Sequence, residues 1–284
     1  MQEVTVGAMS PDRFASVVGP EQMRRLSDAA SSTRDLLGSA SVWNVNSTAA
    51  GGGVAEMLQP LLAYARGGGI DARWLVIEGD VEYFRITKRL HNGLHGGAGD
   101  GGPLDAEEHR HYDTVLRANA EELAALLRPG DVVVLHDPQT AGLVGSMAGA
   151  GATAIWRSHI GSDRANELVA RSWAFLRPYL DEATAIVFSR AAYVPDWLEG
   201  DKRVRLVAPS IDPFSAKNQD LGAETVRAIV GHVGVVADGH PVLPPGPTPG
   251  WPGPAGGGRL QDVGSDWTAP VASTAPTTPE SRAG

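Results

Sequence analysis

Glycines, acids, a cation and an imidazole stand at the ends of apolar runs in this sequence, where α/β proteins do their chemistry. Gly51, Gly52 and Gly53 join the run Ser41 to Val45 to an amphipathic stretch beginning at Val54. Backbone without Cβ atoms can approach a ligand closely, and the free N–H groups of a helix's first turn point at negative charge. This junction therefore reads as a phosphate-facing loop. It is not a dinucleotide fingerprint, because Glu56 stands where the third glycine should be, and no Gly-Lys-Ser/Thr follows to make a Walker A loop. The next runs end in Glu78-Gly79-Asp80, in His136-Asp137-Pro138 and in Trp156-Arg157-Ser158-His159. Polar strand ends converging on one rim point to a polyol-binding cleft. Asp137, followed by proline, fits a helix cap equally well. Helical spacing groups Thr87, Lys88, His91 and Asn92 on neighbouring turns, as sugar hydroxyls would require, although singly each reads as a solvated face. His91 and His95 have the spacing of a metal pair, but no glutamate-containing zinc motif surrounds them and the chain has no cysteine, so no metal is expected. His109 and His111, two apart on a helix, point different ways.

The elements that must position these groups follow from hydrophobic periodicity. Strand-like runs lie at Val42 to Val45, Trp74 to Glu78, Asp131 to His136, Ala152 to Ile155, Ala185 to Phe188 and Val204 to Ala208. Helical faces are marked by Val54, Leu58, Leu61 and Leu62, by Tyr112, Leu116 and Leu123, and by Leu168, Trp173 and Leu176. Strands alternating with helices predict an α/β fold, a Rossmann-like parallel sheet with helices on both faces. Continuous runs such as Val132 to Leu135 suit strands buried on both sides. In such sheets ligands sit outside the carboxyl ends of the strands. Residues 1–38 read as a partly helical lead-in, with Glu21 to Leu37 the helix, and residues 39–235 as the α/β lobe. Ten of the 20 prolines fall between Pro241 and Gly284, and no apolar period survives there, so 236–284 reads as a disordered Pro/Gly-rich tail.

The chain has 284 residues, 42% apolar and 20% charged, enough to bury a substantial core. A net charge of −9 with no long basic run argues against nucleic acid as a partner. Neither a secretory signal pattern nor an apolar run long enough to span a membrane is present, which predicts a soluble cytoplasmic protein.

Taken together, several segments resemble the trehalose synthases, retaining glycosyltransferases that move glucose from a nucleotide-diphosphate sugar to glucose. The similar segments are Val45 to Thr48 with Gly51 to Leu58, Ala72 to Trp74 with Val76 to Asp80, and Ile86 to Asn92. His136 to Gln139, Trp156 to Ile160 and Pro209 to Pro213 with Lys217-Asn218 complete the set. The resemblance covers roughly residues 1–235 and implies the N-terminal, acceptor-binding lobe of a GT-B type enzyme, two Rossmann-like lobes facing across a cleft. It implies that Gly51, Gly52 and Gly53 approach the donor phosphates. Glu78, Asp80, Lys88, Asn92 and Asp137 are the implied contacts to acceptor hydroxyls, with Arg157 and His159 bordering the reacting carbon. The family's chemistry needs no metal or cofactor, the nucleotide-diphosphate glucose being a substrate. Members of the family continue into a donor lobe where this chain has its proline-rich tail, so a truncated or frameshifted gene and weak or absent activity alone are expected. An exposed inter-lobe face would favour a homodimer. Two other readings stay open: a non-catalytic sugar-binding or assembly module, and a Rossmann-type oxidoreductase with Glu78 on a ribose, against which the failed glycine fingerprint counts.

Overall fold

The computed structural model describes residues 1–232. The Pro/Gly-rich tail expected from 236 onward lies outside the described residues. Met1–Asp220 forms one compact unit. Of the second unit, which begins at Leu221, the described part is one helix, Ala223–His232.

In the first unit a seven-stranded sheet is built from β1 (Gln2–Glu3), β2 (Val42–Asn46), β3 (Ala72–Val76), β4 (Val132–His136), β5 (Thr153–Ser158), β6 (Ala185–Phe188) and β7 (Val204–Leu206). Their spatial order is β1-β3-β2-β4-β5-β6-β7. All neighbours are parallel except β1, which pairs antiparallel with β3 through Gln2↔Val76 and Glu3↔Leu75. The N-terminal residues thus belong to the sheet as well as to a lead-in, a two-residue edge strand being too short to leave a periodic pattern. The helices are α1 (Pro20–Leu37), α2 (Gly53–Gly67), α3 (Val81–Leu94), α4 (Ala106–Leu126), α5 (Val144–Gly149) and α6 (Glu167–Leu176). The second strand expected from sequence, Trp74 to Glu78, begins two residues earlier and ends at Val76, because Arg73 at its start is as compatible with the ladder as its apolar neighbours.

Side chains of a strand alternate between faces, and here the two faces build two cores. Trp43, Val45, Leu75, Val133, Leu135, Trp156 and Phe188 pack with Tyr83, Tyr112, Met147 and Trp173 from α3 to α6, whereas Trp74 and Val76 pack with Leu58 and Leu62 of α2. The chain passes from β2 outward to β3, then back over β2 to β4 and on to β5 and β6. Right-handed crossovers put helices on opposite faces when the direction of winding reverses, so α2 covers one face and α3 to α6 the other. On the α2 side, Val132, Val134, Thr153, Ile155 and Arg157 are only half-buried. The apolar runs in β4 and β5 therefore signal full burial on one face and partial cover on the other.

The reversal leaves a topological switch point between β2 and β4, and a crevice at a switch point is where such sheets bind ligands. Helix α3 borders this rim instead of turning back down the sheet. Asp80 at the end of β3 caps its start, accepting from Tyr83 N at 2.8 Å, and at its far end Asn166 Nδ2, beyond β5, donates to Gly96 O at 2.9 Å.

The N-terminal segment is tied to α2 by Met9 N donating to Ala63 O at 2.9 Å, and a Cβ at Gly67 would collide with the backbone carbonyl of Met9. Gly67→Ala is therefore expected to lower stability by about 2 kcal/mol, as overpacking against backbone does. A urea transition with an unchanged midpoint would show that the segment moves aside freely.

Candidate functional site at the switch point

Five polar side chains converge at the carboxyl ends of β2, β4 and β5. The parallel register pairs Asn44 with Val134 and His136 with Arg157, which puts Asn44, His136 and Arg157 on the α2 face. His136 is 1% exposed; its Nε2 lies 3.1 Å from Asn44 Oδ1 and its Nδ1 2.9 Å from His159 Nε2. The two imidazole planes are 21° apart with centroids at 5.2 Å. Burial, then the neighbouring His159 and Arg157, hold His136 well below the ordinary imidazole value, and burial with Arg157 lowers His159 to about 4. Both rings are neutral at pH 7.

Asp137 follows β4 with φ of 63°, the left-handed region that aspartate tolerates better than most residues. The sequence allowed it a helix-capping role, but the helical segments after it begin only at Ala141, and its carboxylate turns the other way. Oδ1 accepts the backbone N–H of His159 at 2.7 Å, tying the β4 loop to the β5 loop. The turn is also anchored through its backbone carbonyls. Trp156 Nε1 donates to Asp137 O at 3.0 Å, Tyr112 Oη donates to Pro138 O at 2.6 Å, and Tyr83 Oη donates to Gln139 O. Burial pushes the Asp137 carboxyl up to about 7, partly offset by the His159 N–H and the Arg157 cation. The second carboxylate oxygen, Oδ2, makes no hydrogen bond among the described residues. Burial also lowers the pKa of Arg157, and its Nε is buried without a hydrogen-bond partner among the described residues. Such an atom is costly to bury, and among the described residues Trp197 Nε1 is in the same position.

Beside these residues, Gly51 and Gly52 take φ of 76° and 87°, and Gly53 opens α2. No side chain caps this helix, so the first-turn N–H groups remain open at the mouth of β2. The other residues singled out by sequence are not drawn into the cluster. Glu78 has a side chain 75% exposed, and its backbone N–H and C=O are both held by the Asn119 amide at 2.9 Å. Asp80 spends Oδ1 on the α3 cap and on His111 Nε2 at 2.8 Å. Lys88 is exposed on α3, and Asn92 packs its side chain against Gly99. His91 and His95 meet edge to face with centroids 4.9 Å apart, while His109 stacks on Phe175 and His111 reaches Asp80. Asn44, inside a strand run, is not among the candidates the sequence offers, and His136 enters them only as a strand end. The signal available was polarity inside an otherwise apolar run.

These buried groups fix how stability follows pH. His91, His109, His136 and His159 all titrate below the free imidazole value, chiefly through burial, so the stability they contribute is complete above about pH 6.5 and is lost as pH falls through their folded values. Asp137, raised to about 7, contributes with the opposite sign, losing stability between about pH 4 and 7. Four groups outweigh one, and the urea midpoint is expected to rise from pH 5 to pH 7. A midpoint that falls over this range would mean that Asp137 dominates.

Residues 44–195, more than half of the chain, match the family described as trehalose synthase, N-terminal domain. The chain belongs to the trehalose synthase family. It is 35% identical to the trehalose synthase of Pyrococcus horikoshii over 230 residues, covering 81% of this chain and 52% of that protein. Identity to the trehalose synthase of Thermococcus litoralis is 36% over 213 residues, covering 75% of this chain and 48% of that one. The trehalose synthase of Rubrobacter xylanophilus matches at 33% over 238 residues, 83% of this chain and 54% of that protein. The chain spans about half the length of the curated relatives it matches. The span matched to the trehalose synthase family opens at Asn44 and contains all five residues of the buried cluster together with Gly51 to Gly53. Among the described residues no helix is long and apolar enough to cross a membrane.

Proposed function

We propose that this chain is the acceptor-binding lobe of a trehalose-forming glycosyltransferase, which moves glucose from nucleotide-diphosphate glucose to glucose with retention of configuration. The observation that carries this reading is the Asn44, His136, Asp137, Arg157 and His159 cluster, held at the switch point beside an uncapped helix N-terminus. Asp137 Oδ2 and the half-buried His159 ring are suited to sugar hydroxyls. Lys88 and Asn92 on α3 lie along the same rim for more distant hydroxyls. Glu78 and Asp80 stand further out, and Asp80 serves first as a helix cap.

Breaking a sugar–phosphate bond develops positive charge on the ring and negative charge on the departing diphosphate. First-turn N–H groups of α2 and the Arg157 cation would lower that barrier electrostatically. Retention then follows from attack on the face the diphosphate leaves, with a phosphate oxygen taking the proton of the attacking hydroxyl. This route requires neither a protein nucleophile nor a metal. Chemistry on free sugars and nucleotide sugars fits a cytoplasmic protein.

The test is to incubate the full chain with ADP-, UDP- or GDP-glucose and glucose, following trehalose and released nucleotide together. Trehalose formed in step with nucleotide supports the proposal. Nucleotide released without trehalose, or no glucose binding at any concentration, contradicts it. Saturable glucose binding without product would mean an acceptor lobe that does not complete the transfer by itself.

A further inference from the structure

The ring nitrogens of the cluster have a proton order that the geometry determines. Asn44 Oδ1 can only accept, so the 3.1 Å contact requires His136 Nε2 to carry hydrogen. A second proton on His136 would place a fully buried cation beside Arg157, so its Nδ1 is bare. The 2.9 Å contact to His159 must then be donated from His159 Nε2. His159 Nδ1 makes no hydrogen bond among the described residues.

We infer that Asn44 and His136 are positioning residues that hold His159 in its Nε2–H tautomer and so present the Nδ1 lone pair to the crevice as a hydrogen-bond acceptor. The charged or titratable groups around the ring are His136 and Asp137 from the end of β4 and Arg157 on β5. Asp137 meets the backbone N–H of His159 and leaves the ring to His136. One face of β2 thus reaches across the switch point to set the chemistry at the mouth of β5, 115 residues further along the chain. The outer half of the inference, that a sugar O–H donates to His159 Nδ1, rests on the proposed sugar site. The tautomer does not.

The experiment is long-range proton–nitrogen correlation NMR on the full chain labelled with ¹⁵N-histidine. His159 is expected to show a protonated Nε2 and a bare Nδ1 at pH 7. His136→Leu removes the acceptor and is expected to return His159 to a mixture of tautomers, with glucose bound about tenfold more weakly, the equivalent of one lost hydrogen bond. His136→Asn places an amide oxygen near the position of the former Nδ1 and is expected to restore the Nε2–H form, which separates the relay from general damage to the fold. A protonated Nδ1 in the unaltered chain, or an unchanged tautomer in His136→Leu, overturns the inference. Adding glucose should shift the His159 Nδ1 resonance. A correct tautomer with no shift under saturating glucose leaves the relay standing and rejects the sugar contact alone.

Discussion

Asp137→Ala is expected to unfold at markedly lower urea and to bind glucose at least a hundredfold more weakly. Two costs add in the folded protein. Alanine at φ of 63° carries roughly 1–2 kcal/mol of left-handed strain, and the His159 N–H loses its 2.7 Å acceptor at roughly another 1–3 kcal/mol. The affinity loss has a separate origin in the proposed sugar site, where the carboxylate Oδ2, free of partners among the described residues, would meet a sugar hydroxyl. Asp137→Asn tests this division. Asparagine tolerates the same backbone, and its Oδ1 can accept the same N–H, so stability is expected within about 1 kcal/mol of the parent. Glucose affinity falls because a carboxylate acceptor is lost. If Asp137→Ala matched the parent in urea, the β4 turn would be held by Tyr112 and Trp156 without it. If Asp137→Asn bound glucose as the parent does, the carboxylate would not be part of the sugar site.

Arg157→Met is expected to separate stability from function. The guanidinium is half-buried and its buried Nε has no partner among the described residues, which is a cost to the fold. Methionine of similar length fills the space without that penalty, and stability should be unchanged or higher. The proposed transfer to glucose, where the chain supports it, should fall by about a hundredfold or more, the scale seen when a group opposing developing charge is removed. Urea unfolding and trehalose formation, measured on the same preparation, decide the matter. Lower stability with intact transfer would make Arg157 a structural residue. The two variants should also interact. Asp137 keeps part of its charge because of Arg157, so removing the cation should push the Asp137 carboxyl higher still.

Much of the lobe was legible in the sequence because its architecture is local in origin. Six strand runs, the helix expected from Glu21 to Leu37 and found from Pro20, and the glycine junction before α2 each arise from patterns within about twenty residues. The rim was legible as well, since in a parallel sheet the carboxyl ends share one edge whatever the strand order. What could not be read is pairwise. Asn44 touches His136 only because β2 and β4 are neighbours in register, and His136 touches His159 only because β5 lies next to β4. The turn after His136 has the signature of a helix start, and proline at 138 agrees with that. The competing bond from His159 N takes the Asp137 side chain instead. Asp80 shows the reverse case. Sequence proposed it for a sugar hydroxyl, and its side chain caps α3 and meets His111, because an aspartate before a helix finds its partners locally first. The continuous apolar run from Val132 to Leu135 predicts strands buried on both faces. Winding after the switch point sends α3 to α6 to one face, so the other face of these strands is only half covered.

The most direct test of the site is a titration of the ¹⁵N-labelled full chain with glucose and with trehalose, mapping which backbone amides shift and whether the shifts saturate. A sugar site at the switch point predicts saturable changes concentrated in 46–53, 137–140 and 157–161, with the amide of His159 among the largest. No saturable change, or changes concentrated away from the ends of β2, β4 and β5, would contradict it.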